Sequence, residues 1–501
     1  MGNKKETLFR GLWYLAIFAF FYVWFSKIHP LIVYDADDWS YIAYVRKATP
    51  IWGDWNPAKV FPEVVMPFLC SIILHTVTPL VGDVITGYTI GHALIVSGFI
   101  TVYAWCFAGL VRRTFGHTKV TADLTAVLFL ILHLLVFRTK DWGNLYLFHC
   151  VDLNCYYNYL IPGLLNASLV MWMTNNPRYD RFLLESNYLQ KGLLWLTLYF
   201  AVFSNLVVSG ILAAFAGSRI LLDLIRHRKA FRLKDCVNRN LVPLGILVLW
   251  FVSAVYELSG GRAASAASGG ILSNTVYSLY HLKNVLVREC SGLFWLFTAI
   301  TVILCILLLL RSRGKDPEDQ AFLPLFWMLL IAGAAVTVYS MLLCGMVNPW
   351  TVYRSEYLFS MFFYGLAILL VALAYILKKQ PRLLLLLPAV TLFLASAVNT
   401  YGNTFQESLM SDYEPTVCAD ISRDILNQFL EAESSGVQEA VIYVPMHVAD
   451  PETEDNWPHS LVLLPRIQTA LYEQGILSRE FNVTYAADLS VNERFQLPIP
   501  D

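Results

Sequence analysis

The chain has 501 residues, of which 57% are hydrophobic and only 15% are charged. Soluble domains carry about 25% charged residues, so this composition excludes an ordinary soluble protein and indicates a polytopic membrane protein. The formal net charge of −1 hides an asymmetry, because residues 1–400 carry +12 and residues 401–501 carry −13.

Eleven apolar segments are long enough to predict transmembrane helices. The first follows a basic N-terminus and lacks a small-residue cleavage site, so we predict a retained helix and not a cleaved signal peptide. The predicted spans are residues 8–27, 86–111, 119–137, 157–174, 191–206, 208–226, 241–257, 291–311, 322–344, 356–377 and 383–399. Because their number is odd, we expect the two ends of the chain on opposite sides of the membrane.

Lysine and arginine set the orientation, since they accumulate in cytoplasmic loops. With the N-terminus inside, the inside loops hold 21 of these residues, whereas the outside loops of residues 1–400 hold 10. Residues 62–83 are also apolar, but counting them as a span would invert every later loop. Pro62, Pro67 and Pro79 also disfavour a straight helix there. We therefore predict an interfacial or re-entrant helix over 62–83, on the outer leaflet.

The segment 401–501 differs in kind, with 17 acidic and 4 basic residues. It alternates helix-like and strand-like runs, which predicts a small α/β domain on the outer face. The predicted fold is an all-α polytopic membrane protein of about 11 helices, N-in/C-out, followed by this extracytoplasmic domain. We place the domain boundary at residue 400, and the first domain includes the outer loop 34–63.

An acidic cluster, YDADDWSY, follows the first span. Asp35, Asp37 and Asp38 stand within four positions beside the bilayer, where ionisable residues are costly and are functional candidates by default. Asp37 or Asp38 could take a proton from an acceptor hydroxyl. A single one of these acids is better explained as the cap of a helix beginning near Trp39, whereas the cluster as a whole favours function.

Basic, aromatic and amide residues in the outer segments complete the candidate site. Arg354 is suited to hold a lipid phosphate through two hydrogen bonds, and pairing with Glu356 or membrane anchoring is an equal alternative. For Lys283 and Arg288, ordinary lipid headgroup contact is the stronger alternative. The candidate phosphate-binding residues are Arg354, Lys59, Lys283 and Arg288. The candidate sugar- or acceptor-binding residues are Asp35, Trp39, Trp55, Asn56, Asn158, Tyr159 and Glu356.

Several familiar motifs are absent from the sequence. It contains no glycine-rich phosphate loop after a strand, no HExxH and no GxSxG, and no nucleic-acid partner is expected. The nine cysteines show no metal-ligand spacing. Cys150 and Cys155 lie five apart in one loop and could pair, but free thiols are favoured, and we assign no redox role.

Nucleotide sugars are cytosolic, so an outside active site needs a donor already carried across, such as a polyprenyl-phosphate sugar.

The order of these features resembles the integral-membrane glycosyltransferases of the GT-C fold. Within that fold, the sequence is most similar to the bacterial branch of serotype-converting O-antigen glucosyltransferases and their uncharacterised relatives. The elements that carry the resemblance are ADDWSY (36–41), WNPAK (55–59) and NYLIPG (158–163). Relatives commonly have Gly-Arg where this chain has Pro57-Ala58-Lys59. A lysine keeps the charge but loses the two-pronged geometry of arginine, which weakens the assignment of Lys59 to the phosphate.

The resemblance implies a polyprenyl-phosphate-linked sugar as donor and a glycan or cell-wall polymer as acceptor. It also implies inversion at the sugar carbon, Asp37 or Asp38 as the base, and an active site on the outer face of the bacterial plasma membrane. No obligatory metal is implied, although some GT-C enzymes hold a divalent ion at such acids, so a metal stays possible.

Two other classes of protein compete with an enzyme. A transporter or flippase of lipid-linked glycans would need charges within its spans and two related halves. Arg219 and Asp123 lie near cytoplasmic ends, and no half-repeat is visible. If the protein were an outer-face sensor or scaffold, the acidic cluster would have no functional role.

Overall fold

The computed structural model describes residues 2–33, 36–43, 57–139, 144–150, 152–176, 185–258, 270–398, 414–447 and 460–500. These residues are mostly helical, and they include one small sheet. The helices of the first half are α1 Gly2–Val23, α2 Ala36–Ala43, α3 Met66–Thr76, α4 Thr78–Val81, α5 Val84–Phe115, α6 Lys119–Leu135, α7 Leu153–Cys155, α8 Ile161–Asn175, α9 Tyr188–Val202 and α10 Leu206–His227.

The second half of the described chain contains the remaining helices and both strands. The helices are α11 Leu233–Arg239, α12 Leu241–Leu258, α13 Ile271–Asn284, α14 Gly292–Ser312, α15 Pro317–Val347, α16 Ser355–Lys379, α17 Leu387–Ser396, α18 Pro415–Ser434, α19 Ser460–Glu473 and α20 Leu489–Phe495. The strands are β1 Glu439–Val444 and β2 Asn482–Ala487. Short π-helical segments occupy Trp24–Ile28, Phe61–Val65, Tyr156–Leu160 and Val285–Glu289, and 3-10 segments occupy Leu147–His149, Arg228–Ala230, Pro349–Tyr353 and Pro381–Leu385.

Within the described residues, six helical segments are long and apolar enough to cross a bilayer: α1 with its π-helical extension, α5, α10 with its 3-10 extension, α14, α15 and α16. Helices α11 and α12 form a seventh candidate, bent by 82° at their junction. The chain is therefore a mostly helical, multi-pass membrane protein. The other predicted spans coincide with α6, α8, α9 and α17, which have 17, 15, 15 and 10 residues. The count of eleven spans stays a prediction.

Ion pairs join helix ends at one face of the bundle, which we call the basic face. Arg10 of α1 donates from Nε to Asp123 near the start of α6, at 3.2 Å. Lys379, the last residue of α16, lies 3.0 Å from Asp319 at the start of α15. These are ends that the lysine and arginine distribution assigns to the cytoplasm. The contacts therefore agree with the predicted alternation of helix directions.

The opposite ends of α1 and α6 reach a second face, which we call the site face. The Trp24 indole donates to the carbonyl of Phe148 at 3.2 Å, and the end of α6 leads to a bridge between Phe137 and Cys290. Four π-helical segments of the described chain lie at this face, where α2 and α7 also pack together. Such segments frequently accompany functional sites, because the irregular turn redirects side chains.

The segment predicted as an interfacial helix is broken into short pieces. A π-helical turn, α3 and α4 follow one another, and the run Phe61–Thr76 is apolar but below spanning length. Helix α3 packs against α2 and α5. The contact with α5 is close because Gly91 has no side chain: a Cβ there would lie 2.5 Å from Ile73. The short helix therefore lies beside the acidic residues of α2.

Residues 414–500 contain a small α/β unit, as the sequence predicted. Strands β1 and β2 pair in parallel, so the chain must cross over between them, and α19 lies in that connection. The unit contacts the site face at two places. Arg423 binds Asp83, the N-cap of α5, at 3.0 Å, and Gln474 donates to the carbonyl of Ile42 in α2 at 3.2 Å.

Candidate functional site

Two neighbouring aspartates of α2 point in different directions. Asp38 is completely buried, and one of its carboxylate oxygens accepts a hydrogen bond from the backbone N–H of Asn154 at 2.6 Å. Asp37 is 55% exposed and pairs with Arg466 of the C-terminal unit at 3.1 Å. Because successive helical residues are about 100° apart, α2 presents one carboxylate to the bundle and the other to the C-terminal unit.

Asp152 completes a pair of buried carboxyl groups with Asp38. It is the N-cap of α7 and accepts from the same Asn154 N–H at 3.0 Å, so the two carboxyl groups converge on one donor. Burial raises the pKa of Asp152 above its usual value of 3.8. Two buried carboxyl groups that converge on one donor resist being ionised together, so the pair is suited to hold one proton.

Sequence reasoning missed Asp152, although a signal was present. The run VDLNC places an aspartate two residues before Asn154, at the start of a helical stretch in an outer loop. That is the pattern of a helix N-cap. The capping alternative raised for Asp38 is wrong, because α2 already begins at Ala36 and Asp38 lies within its first turn; Asp38 accepts instead from the first turn of α7.

Arg354 and Glu356 form an ion pair at the start of α16. Arg354 Nε lies 2.6 Å from Glu356 Oε1, and the Glu356 side chain is only 2% exposed. The other carboxylate oxygen of Glu356 is buried and has no hydrogen-bond partner among the described residues. Glu356 lies within electrostatic range of Asp152, so the ion pair and the carboxyl pair belong to the same region of the site face. The guanidinium stays 43% exposed, so a bound anion can reach it.

Asn158 and Tyr159 lie in the π-helical segment after α7. The buried Asn158 amide donates to the carbonyl of Asn154 at 3.3 Å and also to its side-chain oxygen. Asn158 therefore positions the residue whose N–H holds Asp38. Tyr159 is half-buried and lies within electrostatic range of Arg354 and Glu356. The structure thus brings two of the predicted sugar-binding residues into the same cluster as the predicted phosphate-binding arginine.

Trp39 and Lys59 lie at the edges of this cluster. Trp39 is buried in α2, and among the described residues its indole N–H has no hydrogen-bond partner. Lys59 is half-buried with φ of 53°, a left-handed conformation that costs energy for a residue with a side chain. Its carbonyl accepts from the N–H of Glu63 at 3.0 Å, which begins the π-helical turn before α3.

Lys283 and Arg288 are not brought to the carboxyl pair. Both side chains are exposed on α13 and the π-helical segment after it, and the Lys283 ammonium lies 5.6 Å from the centre of the Tyr280 ring. No contact within the described ranges joins either of them to Asp38 or Asp152. Three predicted site residues lie outside the described residues: Asp35, Trp55 and Asn56.

In the described part of the chain, no group of three or more histidine, cysteine, aspartate or glutamate side chains is arranged to hold a metal ion. The cluster consists of two carboxyl groups sharing one backbone N–H, a neighbouring thiol, and an arginine–glutamate pair. Such a set can accept a proton and can attract an anion.

In comparisons with known proteins, no family model, curated protein or solved structure matches the chain. The apolar helices define the class of protein, a multi-pass helical membrane protein with a small C-terminal α/β unit.

Proposed function

We propose that the protein is a GT-C-type glycosyltransferase, with eleven spans, that moves a sugar from a polyprenyl-phosphate carrier to an extracytoplasmic glycan or cell-envelope acceptor. The observation that supports this proposal is the buried carboxyl pair of Asp38 and Asp152 beside Arg354, at the face opposite the basic face. A proton acceptor next to an anion-binding group is what transfer from a phosphate carrier requires.

In the proposed reaction, an acceptor hydroxyl attacks the anomeric carbon of the donor sugar. Asp38 takes the hydroxyl proton, with Asp152 as the neighbour that shares it. The bond between the anomeric carbon and the phosphate oxygen breaks, and the sugar carbon is inverted. The lipid phosphate leaves with its negative charge near Arg354. The unpartnered oxygen of the buried Glu356 is suited to accept a hydrogen bond from a sugar hydroxyl.

Asp38 is favoured over Asp37 as the base. Asp38 is completely buried and shares the Asn154 N–H with the second carboxyl group, so it lies where a proton can be taken up and held away from water. Asp37 is half exposed and its charge is compensated by Arg466. Asp37 is therefore assigned to docking of the C-terminal unit.

The proposal is tested with purified protein in lipid nanodiscs and a panel of radiolabelled polyprenyl-phosphate sugars. Wild-type protein should consume at least one of them when an extract of envelope glycans is added. Asp38→Asn should lower transfer by about 100-fold or more, the usual contribution of a general base, with an unchanged melting temperature. Asp420→Asn, an exposed acid of the C-terminal unit, is the matched control and should retain activity.

Two outcomes would overturn the proposal. One is full transfer by folded Asp38→Asn, which would remove the base from the proposed mechanism. The other is movement of a lipid-linked glycan across a vesicle bilayer with no sugar consumed, which would make the protein a transporter or flippase.

A further inference from the structure

Helices α10 and α16 run side by side in the same direction. The Tyr364 hydroxyl of α16 donates to the carbonyl of Ile211 in α10 at 2.7 Å, and the Ser360 hydroxyl donates to the carbonyl of Val207 at 3.5 Å. Both bonds join positions that are 153 residues apart, so the two helices advance in step. Since α16 ends at Lys379 on the basic face, α10 ends at the basic face as well.

The chain turns sharply along this face after α10. It continues through the 3-10 turn Arg228–Ala230 into α11, and α11 meets α12 at an angle of 82°. Helix α12 supplies the apolar part of the seventh candidate span. When α12 crosses the bilayer, α11 therefore runs nearly parallel to the membrane surface, as interfacial helices do.

One carboxylate fastens α11 to the end of α10. Asp223 accepts from Arg239 Nε at 3.0 Å and from a second nitrogen of the same guanidinium, also at 3.0 Å. The Asn240 side chain donates to this carboxylate at 3.1 Å. These bonds hold the end of α11 against α10, and they use the charge of Asp223 on Arg239.

The apolar side of α11 is exposed next to the bundle. Cys236 and Asn240 lie one turn apart and are buried. Leu233 and Val237 lie beside this buried stripe, but they are 68% and 37% exposed. Phe231, just before α11, is 50% exposed. Exposed apolar side chains on a helix parallel to the membrane are typical of a helix that rests on the bilayer.

Exposed cations surround this apolar side. Between residues 224 and 240, Asp235 is the single acidic residue. Five exposed basic residues of the same segment have no ion pair or hydrogen bond from their side chains to the described residues, and we call them the basic cluster: Arg226, Arg228, Lys229, Arg232 and Lys234. Clusters of four to eight lysines and arginines directly after a spanning helix are typical of sites for anionic lipids.

We propose that the basic cluster and the apolar side of α11 bind anionic phospholipids of the cytoplasmic leaflet. The cations contact the headgroup phosphates, while Phe231, Leu233 and Val237 enter the boundary between headgroups and acyl chains. A free phosphate ion would satisfy the cations but would leave the apolar side in water, so the combination favours a lipid. This site lies at the face opposite the carboxyl pair, and it does not depend on sugar transfer.

The test uses the full-length protein in vesicles made of equal parts phosphatidylcholine and phosphatidylglycerol. Leu233→Cys introduces an exposed thiol, whereas the nine native cysteines are buried, so monobromobimane labels position 233. One preparation carries bromine on the acyl chains of phosphatidylglycerol, and the other carries it on those of phosphatidylcholine. We expect brominated phosphatidylglycerol to quench the bimane more strongly. In Arg228→Gln/Lys229→Gln/Arg232→Gln, this preference should fall by at least about fivefold, the contribution of one cation near an anionic surface.

Two variants with unchanged melting temperatures serve as controls. Arg228→Lys/Arg232→Lys keeps the charges and should keep the preference for phosphatidylglycerol. Lys283→Gln/Arg288→Gln removes two exposed cations from the site face and should keep it too. Equal quenching by the two brominated lipids would overturn the proposal, because α11 would then rest on the bilayer without selecting anionic lipids. Absence of quenching by either lipid would also overturn it, because α11 would then lie away from the bilayer.

Discussion

Replacing Arg354 with alanine would leave the buried Glu356 carboxylate without its cation. Removing one member of a fully buried ion pair costs about 3–5 kcal/mol, whereas exposed pairs contribute about 0–1 kcal/mol. Here Glu356 is 2% exposed and Arg354 is 43% exposed, so water replaces part of the lost interaction. We therefore expect Arg354→Ala to lower the free energy of unfolding by about 2–3 kcal/mol, or roughly 30- to 160-fold in the folding equilibrium.

A double-mutant cycle separates two contributions to the loss of stability: the uncompensated charge of Glu356 and the lost packing of the Arg354 side chain. Glu356→Gln removes the charge that needs compensation, so Arg354→Ala/Glu356→Gln should recover more than half of the loss seen in Arg354→Ala. Arg288→Ala is the matched control, because Arg288 is an exposed arginine at the same face and should change stability by less than about 0.5 kcal/mol.

The assay is equilibrium unfolding in mixed micelles of a mild detergent and SDS, followed by tryptophan fluorescence. The uncompensated Glu356 carboxylate would not be the cause of the destabilisation if Arg354→Ala were no more destabilising than Arg288→Ala. The same conclusion would follow if Glu356→Gln failed to rescue Arg354→Ala, because the cost would then come from packing and not from the uncompensated carboxylate.

Three further predictions concern pH, docking and helix packing. Because the pKa of Asp152 is raised, wild-type stability should fall as the pH rises above about 4 through the folded-state pKa, and melting curves of Asp152→Asn should lose this slope. Arg466→Ala removes an exposed ion pair between the C-terminal unit and α2, so it should lower the free energy of unfolding by only about 0.2–1 kcal/mol. Hydrogen exchange in α2 should become faster in this variant. The difference between wild type and variant should become smaller in high salt, because salt screens the pair. Gly345→Ala places a Cβ 2.9 Å from the carbonyl oxygen of Ile271, so α13 and α15 must move apart, which should lower the free energy of unfolding by about 1–3 kcal/mol. Gly98→Ala is the control, because a Cβ there meets open space and its melting temperature should stay near that of the wild type.

Much of the helical framework follows from local sequence, but the partners within the site do not. Long apolar runs predict helices because a buried backbone must satisfy its own hydrogen bonds. The bond between Asp38 and Asn154, in contrast, spans 116 positions and depends on how two loops pack. Asp37 and Asp38 are equivalent by local pattern, and only the packing of α2 between the bundle and the C-terminal unit distinguishes them.

The exposed position of Arg288 has a local cause that hydropathy does not reveal. The buried stripe of α13 runs through Thr275, Ser278 and His281 at regular helical spacing. The stripe continues through Val285 and Glu289, each four residues after the previous buried position, which leaves Arg288 beside the stripe and exposed.

Asp37 and Asp38 face different sides of α2, and this arrangement connects the C-terminal unit with the candidate site. Arg466 holds Asp37, and Gln474 of the same unit holds the carbonyl of Ile42, so two turns of α2 are tied to that unit. The other side of α2 carries the carboxylate that meets Asn154. Because a short helix moves as one body, a displacement of the C-terminal unit would shift the proposed base against its carboxyl neighbour. The acidic C-terminal unit is thus placed to influence the proposed sharing of a proton between Asp38 and Asp152.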